Sequence, residues 1–341
     1  MLLDKRLLLL INWEEEGRWD LYRSIRDRWK RVIILQPYRV PCPGYGTFNR
    51  FSTWASEMYL PFLALCKRRQ ADVVVSWSMR MGVCYGILNR LFPGGNRCRH
   101  VLYDFHINLR KKGAGYRRKL RLLRFALGGI DFFLCTSNRE ADLYSHLFRV
   151  PRERIRFFPM TPPRHYLDAY DFPRKDYVLS YGNSDRDYDS LVTAAKESGL
   201  PTVILTQTYR FFSPLPSNVR VIRERTVGLD LIRLIASARL VVLPLRDAMV
   251  SAGQTAMLET MALGRPLIVS ANPATAEYAQ HGRDALFFEP GDARALKERM
   301  LFLWEHPGEA ERLGARARES ALEFPNRQVA VFLDTLENLL L

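Results

Sequence analysis

Cysteine is scarce in this chain: 341 residues hold five, Cys42, Cys66, Cys84, Cys98 and Cys135, with no C-x-x-C pair and none at metal-ligand spacing from a histidine. An odd, unpaired set argues against a disulfide framework or a zinc module and reads as reduced structural thiols. Long hydrophobic runs are missing as well. Residues 7–11, four leucines and an isoleucine, are too short for a signal-peptide core or a bilayer span, and the stretch from Asn12 to Glu16 ends them with charge. They are expected to form a first core strand. No G-x-G-x-x-G follows, because Asn12-Trp13-Glu14 stands where the glycines would be, which disfavours a nicotinamide dehydrogenase. His and carboxylate clusters at metal spacing are also lacking, so neither a metal nor another cofactor is expected.

Acidic residues are thin in one half only. Residues 1–165 carry 31 Lys and Arg against 13 Asp and Glu, whereas residues 166–341 carry 20 against 23; together they give the net charge of +15. The first half should face something anionic, a membrane surface, an acidic acceptor or nucleic acid, and the second should handle a small ligand. No nucleic-acid-binding motif is legible in the basic half, so nucleic acid is not an expected partner. With 48% hydrophobic residues the chain is long enough for two domains, each with its own core.

What is present alternates strand and helix. Short apolar runs at residues 7–11, 32–35, 72–76, 100–104, 131–135 and 154–158 are each followed by a polar turn and a longer periodic segment, the pattern of a doubly wound parallel α/β sheet. Residues 37–48, rich in Pro, Gly and aromatics, read as a long loop, at a ligand edge or as a packed surface connection. Residues 159–173 are proline-dense and without period, a candidate linker. A second sheet starts at residues 177–181 and continues at 203–205, 219–223, 240–243 and 267–270. The implied organisation is a first domain over residues 1–160, a linker at 161–175 and a second domain at 176–324. Pro325 breaks a helix, and residues 325–341 form a last apolar helix.

The stretch from Ser251 to Pro266 organises the second half. Ser251, Ala252 and Gly253 allow a tight turn after a buried strand; a helix beginning near Thr255 aims its unpaired amides into that turn, a natural anion site. Gly264 supplies a left-handed stop and Pro266 prevents continuation, so Glu259 sits about one turn inside the helix. The run Leu258-Glu259-Thr260-Met261-Ala262-Leu263-Gly264-Arg265-Pro266 resembles the L-E-A-M-A-x-G-x-P half of the nucleotide-sugar signature of family 4 GT-B glycosyltransferases (glycosyl transferases group 1). The first Glu of that signature is replaced by Ser251. The resemblance implies that Glu259 accepts hydrogen bonds from the donor ribose, that Gly253, Gln254 and Thr255 offer backbone amides to the diphosphate, and that Ser251 lies beside the sugar. It further implies a GT-B architecture, two Rossmann-like domains facing across a cleft with the final helix crossing back to the first.

Further positions follow from the same resemblance. Tyr103-Asp104-Phe105-His106 closes the fourth strand, and His106 matches the histidine the family places against the donor sugar; a structural histidine is the alternative. Arg186, in the turn opened by Gly182, takes the place of a phosphate-contacting Lys and is expected to support the leaving diphosphate with the helix N-terminus. Thr206 and Arg225 fall where the family binds the base. Asp185-Arg186-Asp187 could also be read as a D-x-D metal site, against which stand its strand-turn-helix position and the frequency of carboxylates as helix caps. The implied activity is glycosyl transfer from a nucleotide-diphosphate sugar, with retention and without metal, in polysaccharide biosynthesis. A non-catalytic GT-B partner subunit and a sugar-nucleotide epimerase remain alternatives.

Residues 109–127 hold eight basic residues and no acidic one. At helical period Tyr116, Leu120, Leu123 and Leu127 share an inward stripe, while Leu122 and Phe125 fall on the far side among Arg117, Arg118 and Arg121. A solvated basic face explains the charges, and an interfacial helix also explains the outward Leu122 and Phe125. The expectation is a cytoplasmic protein, peripheral at the inner face of an anionic membrane, with a lipid-linked or polysaccharide acceptor.

Overall fold

The computed structural model describes residues 4–12, 20–37, 46–93, 98–107, 113–246 and 251–340. Outside them lie most of the expected loop at 37–48, the beginning of the basic run at 109–112, and residues 13–16 after the first strand. The chain divides into two compact units, one of residues 1–158 and 327–341, the other of residues 159–326.

The first unit is built on six parallel strands, β1 (Arg6–Leu10), β2 (Arg31–Leu35), β3 (Val73–Ser76), β4 (Arg99–Leu102), β5 (Phe132–Cys135) and β6 (Ile155–Phe157), in the order β2-β1-β3-β4-β5-β6. Its register pairs Leu8 with Ile33 on one side and Val74 on the other. The unbroken leucine run is explained by burial on both faces. Leu7 and Leu9 turn to one helical layer, made of α1 (Asp20–Arg26) and the end of α10 (Pro307–Leu340), while Leu8 and Leu10 turn to the other. All four are at most 2% exposed, a contribution of about 1.5–3 kcal/mol each. The second layer holds α2 (Gly46–Lys67), α3 (Met79–Leu91), α4 (Ala114–Leu127) and α5 (Asn138–Phe148).

The second unit repeats the design with β7 (Lys175–Tyr181), β8 (Thr202–Leu205), β9 (Val219–Ile222), β10 (Ala238–Leu243), β11 (Leu267–Ser270) and β12 (Leu286–Phe288), all parallel and ordered β12-β11-β10-β7-β8-β9. The helices α6 (Tyr188–Ser198), α7 (Leu229–Ser237), α8 (Gln254–Ala262) and α9 (Ala293–Glu305) cover it. The strand order reverses between β10 and β8 at β7, and in such open sheets ligands collect outside the carboxyl ends at the switch point.

One sequence reading needs correction. Pro325 does not break a helix: α10 runs through it from Pro307 to Leu340. A proline removes a single N–H from the ladder, and burial of Ala317, Ala321 and Phe324 before it and of Phe332, Leu336 and Leu339 after it holds the helix on. The proline-dense interval, read as a candidate linker, carries structure of its own. It contains a short 3-10 turn, Arg164–Tyr166, that buries Tyr166, and the Met160 amide donates to the Tyr278 hydroxyl at 3.1 Å.

Candidate functional site

In the second unit the polar residues gather at the carboxyl edge of the sheet. After β7 the chain turns through Gly182, whose φ of +118° suits only glycine, and an added Cβ there would stand 2.5 Å from the Arg186 guanidinium. Asn183 then braces the next strand: its Oδ1 accepts from the Thr206 hydroxyl at 3.1 Å and from the Gln207 amide at 2.8 Å. Gly182, Asn183, Thr206, Gln207 and Arg225 line one cavity of about 230 Å³, so three of the positions singled out in the sequence, Gly182, Thr206 and Arg225, share a wall.

Arg186, expected to support the diphosphate, is 5% exposed, with Nε donating to the Tyr181 carbonyl at 3.0 Å and a terminal nitrogen to the Ser184 carbonyl at 2.8 Å. Burial lowers its pKa. The short turn after β7 leaves carbonyls that need a donor, and Arg186 satisfies them, so in this structure it shapes the turn. Asp187 caps α6, accepting from the Ser190 amide at 3.3 Å and the Ser190 hydroxyl at 2.6 Å. Asp185 takes a left-handed φ of +56°, and its carbonyl accepts from the Arg246 amide at 3.1 Å.

In the same unit α8 begins at Gln254, with Gly253 as its left-handed N-cap at φ +85° and without a side-chain cap, so among the described residues nothing caps the first amides of the helix. Thr255 is in its first turn and exposed, and Ser251 precedes it, partly buried. The Gln254 side chain is 4% exposed and its Nε2 finds no acceptor among the described residues. A buried amide donor without a partner, beside open helix amides, makes the turn electropositive and fit for an anion.

Glu259 lies on the same helix, 9% exposed. Tyr181, at the end of β7, puts its hydroxyl 3.3 Å from Glu259 Oε2, 2.7 Å from the Ala256 carbonyl and 3.1 Å from the Thr260 hydroxyl. Tyr166, from the proline-rich interval, gives Glu259 a second phenol. Burial pushes the Glu259 carboxyl up to about 7, against the two phenol hydrogen bonds that favour its ionised form. Such a group can accept two hydroxyl donors from a polyol at neutral pH.

His106 belongs to the first unit, four residues past the end of β4. Its Nδ1 stands 3.4 Å from Oε1 of Glu140, whose other oxygen accepts from the Thr136 hydroxyl at 3.2 Å. The imidazole is half exposed while the Glu140 side chain is 1% exposed, and the Glu140 hydrogen bond raises the His106 pKa against desolvation, with Asp104 adding a second negative neighbour. Sequence reading missed Glu140, Tyr166 and Tyr181. Only the helix phase of Glu140, two residues beyond the α5 N-terminus on the side of the sheet, could have suggested it.

On α4, Leu120, Leu123 and Leu127 face the core as the period implies, and Tyr116 is partly buried. Leu122 is 53% exposed. Phe125 differs from its expected outward place: it is half-buried under Arg90, whose guanidinium carbon sits 4.4 Å above its ring. Arg117, Arg118 and Arg121 are exposed. Among the described residues no group of three metal-ligating side chains is found, and no helix is long and apolar enough to cross a membrane.

Residues 196–306 match the family model for glycosyl transferases group 1. No curated protein matches the chain. Among solved structures, a glycosyltransferase from Rickettsia africae ESF-5 superimposes with a TM-score of 0.65 at 12% identity, covering 99% of each chain. HepE of Anabaena in complex with UDP gives a TM-score of 0.65 at 14% identity, covering 97% of this chain and all of HepE. Sucrose-phosphate synthase of Thermosynechococcus elongatus gives 0.64 at 14% identity over 98% and 99% of the two chains. The chain thus has the GT-B fold and resembles, through its second unit, the glycosyl transferases group 1 family.

Proposed function

We propose that this chain is a glycosyltransferase that takes its sugar from a nucleotide-diphosphate donor bound by the second unit. The observation that carries this reading is the buried Glu259, held by Tyr181 on the helix whose open N-terminus, with Gln254, can receive a diphosphate. Ribose hydroxyls would donate to Glu259, the diphosphate would meet the amides of Gly253, Gln254 and Thr255, and the base would enter the cavity lined by Thr206 and Arg225. UDP-sugars are the donors to try first, since HepE has been solved with UDP and with UDP-glucose.

The chemistry proposed is transfer with retention. Among the described residues no carboxylate stands out as a covalent nucleophile, so the acceptor hydroxyl would enter on the face from which the diphosphate leaves. The negative charge growing on the departing phosphate would be met by the α8 amides and the Gln254 side chain, without a metal. Arg186 contributes indirectly, by fixing the turn that carries Gly182 and Asn183. His106, oriented by Glu140, would hydrogen-bond the donor sugar. The acceptor is proposed to be lipid-linked or a membrane-associated polysaccharide, reached at the cytoplasmic membrane face, with Arg117, Arg118 and Arg121 beside Leu122 as contacts to anionic lipid.

Ser251 in place of the first signature Glu favours a second reading, a GT-B subunit that binds the nucleotide without turning it over. Isothermal titration of UDP and UDP-sugars, followed by assay of donor hydrolysis, separates the two. Binding with hydrolysis supports the transferase, binding without hydrolysis by the isolated chain supports the subunit, and absence of nucleotide binding removes both.

A further inference from the structure

The helical layer over one face of the first sheet carries an apolar surface for which donor chemistry has no use. On its inner side α2 buries Ser56, Leu60 and Ala64 against the sheet. Its outer side shows Phe51, Trp54, Met58 and Phe62, which are 61%, 56%, 58% and 56% exposed, with Tyr59 and Leu63 flanking them. Steps of three, four and four residues align the first four in one stripe, roughly 17 Å long at the rise of an α-helix. Single exposed apolar side chains are ordinary, but six contiguous ones on a single helix mark an interaction surface.

The charge around this stripe selects its partner. Of the basic residues, two lie in α2, two in α3 and five in α4, while the one acidic residue in the three helices is Glu57. Glu57 is buried, accepting from Arg80 at 3.0 Å and the Ser78 hydroxyl at 3.1 Å, so it offers nothing outward. The helices are stitched into one surface at their ends. Arg68, just past α2, donates to the Phe92 carbonyl at 2.6 Å, and Arg90 of α3 covers Phe125 of α4. Leu91, Phe92 and Leu122, at the end of α3 and on α4, are exposed as well.

We propose that the outer face of α2 is a docking surface for an anionic lipid bilayer, its aromatic and aliphatic stripe entering the headgroup region while the basic residues of α2, α3 and α4 meet lipid phosphates. An apolar stripe on a helical layer whose only acidic residue is the buried, paired Glu57 is complementary to an anionic interface. A second copy of this chain fits poorly, because a two-fold contact through α2 would set the two basic rims against each other. This assignment deepens the membrane part of the proposed function and does not depend on the donor site. It moves the principal anchor from α4, where Phe125 is covered, to α2.

The test is flotation of the full-length chain with vesicles of phosphatidylcholine containing phosphatidylglycerol, and with phosphatidylcholine alone. The chain should float with the anionic vesicles only, less so at high salt. The double variant Trp54→Ser, Phe62→Ser should lose roughly tenfold or more of that binding, because both side chains would leave the apolar layer. Its melting temperature and UDP affinity, measured on the same samples, should be unchanged, which keeps a failure of the donor site distinct from a failure of docking. The proposal is overturned if wild type does not float with anionic vesicles, if the double variant floats equally well, or if sedimentation velocity shows a wild-type dimer that the double variant turns into a monomer.

Discussion

The hydroxyl of Tyr181 stands 3.3 Å from Oε2 of Glu259, so a phenol from the end of β7 closes one side of a carboxyl that α8 has carried out of water. Removal from solvent raises that carboxyl to about 7, and a ligand presenting two hydroxyl donors would favour the ionised form. Nucleotide binding is therefore expected to release a proton near pH 6 to 7 and to tighten as pH rises from about 5 to about 8. Titration calorimetry in buffers of different ionisation enthalpy measures the proton directly. Glu259→Gln should abolish the release and weaken binding by roughly tenfold or more, since two hydrogen bonds to a charged group are lost. Binding independent of pH and of this substitution would remove Glu259 from the site.

The same shift acts on stability. Glu259 holds its proton more tightly folded, at about 7, than its ordinary value of 4.5. Its contribution is fully present below about 4.5 and is lost as pH climbs through 7, to the extent of about 3 kcal/mol. In the absence of nucleotide, Glu259→Gln should flatten that part of the stability curve and melt higher than wild type at pH 8. Denaturant unfolding across pH 4 to 8 tests it.

At His106 the sign of the effect follows from its neighbour. Glu140 stabilises the imidazolium, so the pair strengthens the fold below the free histidine range, near 6.5, and that strength fades as pH passes the raised value. The effect on stability is small because the imidazole is half exposed to screening solvent. Glu140→Gln should lower the His106 midpoint in an NMR titration and shift the acidic limb of the rate profile to lower pH. A midpoint unmoved by this substitution would show that the two side chains do not communicate in solution.

Much of this fold was legible because its causes are local. Leu7 to Leu10, a short apolar run ended by charge, reads as a strand buried on both faces, and Gly264 before Pro266 reads as a helix stop. The turn at Ser251 to Gly253 and the stop at Gly264 placed Glu259 on α8 for the same reason, and the resemblance of the L-E-T-M-A run supplied its role. What was not legible depends on partners distant in sequence. Tyr166 reads as linker until it meets Glu259, 93 positions on. The helix α2 was opaque because it is apolar on both sides; Leu60 and Trp54 look alike as residues, and only packing tells which one faces the sheet.

Gly182→Ala is expected to damage the donor cavity without touching a ligand. A Cβ there would require φ of +118° of an L residue and would press on the Arg186 guanidinium at 2.5 Å, which is fixed by two carbonyls and cannot swing away. Strain of about 1–3 kcal/mol should appear as a lower melting temperature, together with weaker UDP binding as Asn183 shifts from Thr206. Gly199→Ala, also at positive φ but with open space for a Cβ, separates the two effects: it should cost stability and leave UDP binding intact.

Turnover is expected to survive a chelator. Of the two carboxylates that could imitate a D-x-D site, that of Asp187 is committed elsewhere. Asp187 spends both oxygens on Ser190 as the cap of α6, and Asp185 holds its backbone to Arg246 in a left-handed turn. A diphosphate at this edge would instead find the uncapped amides of α8 and the buried Gln254 amide, which supply fixed positive potential where the leaving charge develops. EDTA should then leave the rate of donor hydrolysis or transfer unchanged, and Gln254→Leu should lower it by roughly tenfold or more while the fold melts at an unaltered or higher temperature, since a buried unpaired donor has been removed. Loss of activity on chelation, restored by magnesium or manganese, would return Asp185 and Asp187 to the active site as ligands and displace the helix N-terminus from its proposed role.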